Sequence, residues 1–237
     1  MKVGTDGVLL GAWAHVEHCQ RILDVGTGTG LIALMAAQRS EASIVGIDLD
    51  ADAVAQAAEN AASSPWGHRI KMLEADVKSF LHEQSPGMDK VGDDSPCLGS
   101  LMLSPRSFDA ILCNPPYFDN SLKSPDAART MARHTDTLSF DELVRSASRL
   151  LSAEGELSVV IPYERATDMT VSAACHGLFA TRQTVVYPVQ GGRAKRILMA
   201  FTRQGAPHVL GALYIQDAQR QYTPEYIRLV EAFYLKM

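Results

Sequence analysis

Arg21-Ile22-Leu23-Asp24-Val25-Gly26-Thr27-Gly28-Thr29-Gly30-Leu31-Ile32-Ala33-Leu34-Met35 decides the fold. Ile22, Leu23 and Val25 make a short apolar run, three glycines then alternate with threonines, and an apolar segment of helical character follows. A strand that passes through a glycine turn into a helix opens a βαβ unit, and its turn lets a ligand approach the backbone at the strand's carboxyl end. The order D-x-G-x-G-x-G departs from the G-x-G-x-x-G of dinucleotide sites. A carboxylate ahead of the glycines repels a pyrophosphate and attracts an ammonium group, so a zwitterionic ligand is expected.

Working outward, runs rich in Val, Ile and Leu alternate with longer helical segments, the pattern of a parallel sheet covered on both faces. Strands are expected at 21–25, 43–48, 69–74, 108–113 and 155–161. Val54, Ala57, Ala58 and Ala61 share one helical face, as do Leu143, Ala147, Leu150 and Leu151, and Ser139 with Glu142 forms a capping box. Residues 178–189 and 195–203 read as two strands joined by Gln190-Gly191-Gly192-Arg193-Ala194, an antiparallel hairpin that ends the sheet. The expected fold is therefore α/β and Rossmann-like, with a mostly parallel seven-stranded sheet, helices on both faces and a C-terminal antiparallel hairpin. Residues 84–107 carry Pro, Gly, Ser and Asp without period and read as a surface insertion. Residues 204–237 read as an extension with a strand-like stretch from Val209 to Ile215 and an amphipathic helix from Pro224 to Leu235. The whole of 1–237 is expected to be one domain.

Lys plus Arg is 22 against 27 Asp plus Glu, a net charge of -5 that excludes a protein coating nucleic acid with its whole surface. Cys19, Cys97, Cys113 and Cys175 lie far apart, without C-x-x-C spacing, so neither a zinc site nor a disulfide framework is expected. No apolar run reaches the length of a membrane span, and the start lacks the layout of an export signal. A cytoplasmic monomer without metal is expected.

Asp48 ends the second strand and is placed to accept both hydroxyls of a ribose; Asp76, after the third, can accept from an adenine amino group. Each alone could instead cap the helix that follows it. Together with Asp24, Gly26, Gly28 and Gly30 they describe a pocket for an adenosine carrying an amino acid, which is S-adenosylmethionine. The fourth strand delivers Asn114-Pro115-Pro116-Tyr117. Two prolines stiffen this turn and remove two N–H donors. The Asn114 oxygen and the Pro115 carbonyl can accept from one planar NH₂ group while the Tyr117 ring stacks on the flat system bearing it. A conjugated amine is a poor nucleophile, and two acceptors favour the geometry that turns nitrogen density toward a methyl-sulfonium. For an RNA substrate the candidate cations are Lys123, Arg129, Arg133 and His134 after that turn, with Arg193, Lys195 and Arg196 in the hairpin loop.

These motifs resemble class I S-adenosylmethionine-dependent methyltransferases of the amino-modifying type, whose N/D-P-P-Y/F/W motif holds the target nitrogen. Met1 to Trp13, Ala132-Arg133-His134-Thr135 with Leu138-Ser139-Phe140, and Phe233-Tyr234-Leu235-Lys236 are similar to the bacterial tRNA(Val) (adenine-37 N6)-methyltransferases. The resemblance implies that Thr5 and Asp6 lie near the cofactor's methionine end. It also implies that Asn114 to Tyr117 hold adenine N6 and that the partner is a tRNA anticodon loop. The family usually carries a further segment ahead of Lys2, so part of the lid over the cofactor is expected to be missing. The turn alone equally suits a glutamine amide in a release factor or guanine N2 in ribosomal RNA. A non-catalytic S-adenosylmethionine-binding sensor or RNA chaperone, and an NAD-dependent oxidoreductase, remain as rivals of other classes.

Overall fold

The computed structural model describes residues 4–81, 105–115 and 138–235. Its elements are α1 (Thr5–Trp13), β1 (Arg21–Val25), α2 (Leu31–Arg39), β2 (Ser43–Asp48), α3 (Ala51–Ala62), β3 (Ile70–Glu74) and β4 (Phe108–Cys113). After these come α4 (Phe140–Leu150), β5 (Leu151–Pro162), α5 (Ala166–Cys175), β6 (Phe179–Val189), β7 (Arg196–Thr202), β8 (Val209–Gln216) and α6 (Pro224–Val230). The strands form one sheet in the order β3-β2-β1-β4-β5-β7-β6-β8. Every pairing is parallel except the two made by β7, which runs against both β5 and β6. The order reverses between β1 and β4, where open α/β sheets leave a crevice for ligands beyond the carboxyl ends of the strands.

Two expectations about the sheet are corrected. It has eight strands rather than seven, because Val209–Gln216 pairs alongside β6 in place of hanging outside as an extension. The 179–202 hairpin also does not end the sheet: β7 folds back between β5 and β6, which leaves β8 at the edge. This insertion matters for position. Arg196 opens β7 opposite Pro162 of β5 and Val186 of β6. The loop between β6 and β7 therefore stands at the same end of the sheet as the glycine turn and Asn114.

Burial follows the apolar pattern. Phe108, Ala110, Ile111, Leu112 and Cys113 of β4 are buried, as expected for a central strand with both faces covered. One core layer joins α1, α2, Ala61 of α3 and Tyr226 and Val230 of α6 on one face of the sheet. The other joins α4, Met169 and Ala173 of α5, and Val77 of the short 3-10 turn after β3. The capping box at Ser139 and Glu142 is present at the start of α4. In α3 the expected apolar face is narrower than its sequence suggests, with Ala57 and Ala61 buried but Ala58 exposed. Helix α1, which the sequence does not reveal, is buried from Gly7 to Trp13. Gly7 and Gly11 turn toward α2, and a Cβ on Gly11 would lie 2.7 Å from Met35 Sδ. Small residues one turn apart let the two helices approach. Among the described residues no helix is long and apolar enough to cross a membrane. The 84–107 insertion falls outside them except for its last three residues.

Candidate active site

The glycine turn is built from its backbone upward. Gly26, Gly28 and Gly30 all take positive φ, at 69°, 56° and 81°. At Gly26 an added Cβ would meet nothing within 4 Å, so the left-handed backbone there faces open space, whereas at Gly30 a Cβ would lie 3.0 Å from Met72 Cε. The amides of Gly26 and Thr27 both donate to the Ile47 carbonyl at 2.9 Å, and Asn60 Nδ2 donates to the Thr29 carbonyl at 2.9 Å. The turn is thereby fastened to β2 and α3.

Asp24 has no exposed surface. Its Oδ2 accepts from the Thr27 hydroxyl at 2.6 Å and from the Ala33 amide at 3.2 Å. The N-cap of α2 is Gly30, which supplies no side-chain acceptor, so Asp24 does that work from the neighbouring strand. One oxygen of the carboxylate thus holds the turn, while Oδ1 is buried and has no hydrogen-bond partner among the described residues. Burial pushes its pKa up to about 6, against the lowering effect of the Thr27 and Ala33 hydrogen bonds.

Asp48 stands at the carboxyl end of β2 and is half-buried. Its Oδ2 accepts from the Gly28 amide at 2.9 Å and its Oδ1 from the Asp50 amide at 3.1 Å. A carboxylate offers about four acceptor positions, so both oxygens retain capacity for hydroxyl donors. The cap of α3 is Asp50, which accepts from the Asp52 and Ala53 amides; the helix does not occupy Asp48. Asp50 is a residue that the sequence reading passed over, and its signal is plain: an Asp directly before an alanine-rich helical run. Asp76 meets the other outcome. Its Oδ1 accepts from the Lys78 amide at 2.8 Å and its Oδ2 lies 3.6 Å from Lys78 Nζ, so it does cap its own 3-10 turn.

Asn114 follows β4, whose last residue, Cys113, is in register with Val25 at the mouth of the glycine turn. Its Oδ1 is buried and has no hydrogen-bond partner among the described residues. A buried acceptor left without a donor costs about 1–3 kcal/mol, so a group that supplies the donor is favoured at this place. Pro115 beside it is buried. The Cys113 thiol is raised well above its ordinary range by burial and by the charges of Asp24 and Asp48, which keeps it protonated and unreactive.

Thr5 and Asp6 form the first turn of α1. Thr5 is exposed, while Asp6 Oδ2 accepts from Arg196 Nε at 2.8 Å. Asp6 and Arg196 thus hold each other between α1 and the start of β7. Arg193 and Lys195 remain exposed in the β6–β7 loop. Pro116, Tyr117, Lys123, Arg129, Arg133 and His134 lie outside the described residues.

A methyltransferase-domain family model matches residues 17–202. The chain is 44% identical over 237 residues to a protein of Bacteroides fragilis named tRNA1(Val) (adenine(37)-N6)-methyltransferase, covering all of this chain and 92% of that one. A protein of the same name from Haemophilus influenzae is 40% identical over 238 residues, again covering all of this chain and 92% of that protein. Among solved structures, a predicted O-methyltransferase from Agrobacterium tumefaciens matches with a TM-score of 0.67 at 22% identity, over 96% of both chains. That likeness carries the fold: a class I methyltransferase sheet with helices on both faces.

Proposed function

The chain belongs to the family of tRNA1(Val) (adenine(37)-N6)-methyltransferases, and from that premise we infer that it transfers a methyl group from S-adenosylmethionine to the exocyclic N6 of adenosine 37 in tRNA(Val). The observation that carries this reading is the unpartnered Asn114 Oδ1 at the tip of β4, beside the glycine turn. It is an acceptor in want of an N–H donor at the place where the target amine must stand.

The residues present fit the cofactor. The open left-handed backbone at Gly26 leaves room against the turn, and Asp48 offers a carboxylate for the ribose hydroxyls. Asp76 retains acceptor capacity for an adenine amino group, and Asp24 holds the turn in shape from beneath. When bound, S-adenosylmethionine supplies an electrophilic methyl group. The chain's own part is to position the nucleophile. Asn114 Oδ1 and the Pro115 carbonyl accept the two N6 hydrogens, which fixes the amine plane and directs nitrogen density along the transfer axis. In the same Asn-Pro-Pro-Tyr motif, Tyr117 supplies the ring suited to stack on the adenine. No residue of the described site is set up as a strong base, and none is required before the transition state, because N6 becomes acidic only as the new C–N bond forms. An adenine in a loop is splayed into such a corner at a lower cost than a paired base. A tRNA substrate fits a cytoplasmic enzyme.

Incubation with methyl-labelled cofactor and total tRNA, then digestion to nucleosides, tests this. Label in N6-methyladenosine of tRNA(Val) is expected; label recovered in protein or in N2-methylguanosine would overturn it.

A further inference from the structure

Beyond the catalytic corner, the same end of the sheet continues as a rim. From β4 outward the strands are β5, β7, β6 and β8, four steps that span roughly 19 Å at the usual strand spacing. Tyr163 follows β5 and is 45% exposed, and its amide donates to the Lys195 carbonyl. Lys195 in turn donates its amide to Val186 of β6. The next residue, Tyr187, stacks on Tyr214 of β8 with ring centroids 4.8 Å apart and planes 23° from parallel. Tyr214 is 36% exposed. Arg193 and Lys195 are exposed and have no carboxylate partner among the described residues. On the turn after β8, Arg220 is exposed and holds a positive φ of 65°. That turn lies against the β6–β7 loop, because the Gln190 amide donates to the Gln216 carbonyl. Of the acidic side chains nearby, Asp6 is held by Arg196 and Asp217 by the amides of Gln219 and Gln221, while Glu164 beside Tyr163 is exposed and leaves the three cations in excess.

We propose that Tyr163, Tyr187, Tyr214, Arg193, Lys195 and Arg220 form a second RNA-binding surface, on which unpaired nucleotides flanking the target adenine are held. The tyrosine rings stack on bases and the three cations meet phosphates, the combination that binds single-stranded nucleic acid. Tyr187 braces Tyr214, so the outer ring is ordered before RNA arrives and little freedom is lost on binding. The rim begins at the catalytic corner and is cationic, which fits RNA rather than a second copy of an acidic chain. This inference rests on the reading of the protein as a tRNA methyltransferase.

The test is binding of a fluorescent anticodon stem-loop of tRNA(Val) to the full chain across a salt series, beside methyl transfer to the same RNA. Tyr214→Leu is expected to weaken binding about tenfold, the size of one lost base–aromatic stack, while Tyr214→Phe keeps the ring and the affinity. Arg193→Gln with Lys195→Gln should lower the slope of log affinity against log salt by about 1.4. Arg220→Gly removes a charge where glycine suits the backbone better, so its loss of affinity should come without a lower melting temperature. S-adenosylhomocysteine should still raise the melting temperature of every variant. Wild-type affinity in Tyr214→Leu, an unchanged salt slope in the double variant, or loss of a wild-type dimer in Tyr214→Leu would each overturn the rim. If the wild-type chain methylates no RNA, the underlying function fails instead.

Discussion

The two halves of the site differ in how far they are finished. On the β1–β3 side, Asp24, Asp48 and Asp76 each accept from backbone amides, and the glycine turn is tied to β2 and α3. On the β4–β8 side, Asn114 Oδ1 has no partner among the described residues, and Tyr163, Tyr214, Arg193 and Lys195 face solvent. The first half is a preorganised receptacle whose backbone amides are met by its carboxylates, with the buried Asp24 Oδ1 left as the one oxygen without a partner among Asp24, Asp48 and Asp76. The second is a set of acceptors, rings and charges that a substrate completes. A small constant ligand suits the former, and a large RNA that brings its own donors and phosphates suits the latter.

The largest expected effect breaks the second half alone. Asn114→Ala should lower kcat about 10²- to 10³-fold, the scale of losing one group that acts in the transition state, while S-adenosylhomocysteine affinity stays near wild type. Calorimetric titration beside single-turnover kinetics separates the two, and equal losses in both would erase the division. Asp48→Ala attacks the first half and should weaken cofactor binding by roughly 1–3 kcal/mol with kcat less affected. Normal S-adenosylhomocysteine binding in this variant would remove the ribose contact.

Asp24 sharpens the comparison through pH. Its folded pKa of about 6 lies above the ordinary carboxylate value of 3.8, so the neutral acid is favoured in the folded state. The associated stability is fully present below about pH 4 and is lost as pH rises through 6, roughly 3 kcal/mol in all. Between pH 5 and pH 8 the wild type should lose about 1–2 kcal/mol relative to Asp24→Asn in urea unfolding. Parallel curves for the two proteins would mean that the carboxylate is not buried as described. The smallest effect is expected at the half-exposed pair of Asp6 and Arg196, where Asp6→Asn should cost under about 1 kcal/mol of stability by thermal melting. A larger loss would make that link a principal brace of α1.

Most of the sheet was legible because its central strands are buried on both faces and read as apolar runs, interrupted by Asp24 in β1 and Asp109 in β4. Ile22 to Val25 and Phe108 to Cys113 needed no knowledge of their neighbours. Strand order was less accessible. A five-residue connection says that β6 and β7 pair antiparallel, but nothing in it says that β7 lies inward of β6. Helix α1 escaped because Gly7 to Trp13 is buried all round and so shows no amphipathic period. In the site, the positions of Asp48 and Asn114 followed from their places at strand ends. The hold of Asp24 Oδ2 on the turn did not, since a carboxylate before a glycine turn reads alike whether it faces a ligand, the turn or both. The pairing of Asp6 with Arg196 joins residues 190 apart and leaves no local trace.

The one counter-running strand has an evolutionary corollary. Because β7 turns back at the rim, the β6–β7 connection is a hairpin end, tied through its backbone to Gln216 and Tyr163 and carrying no core side chain at its tip. A change in the length of this tip would therefore act on the proposed RNA grip of Arg193 and Lys195 at little cost in stability, since loop closure grows only slowly more costly with length.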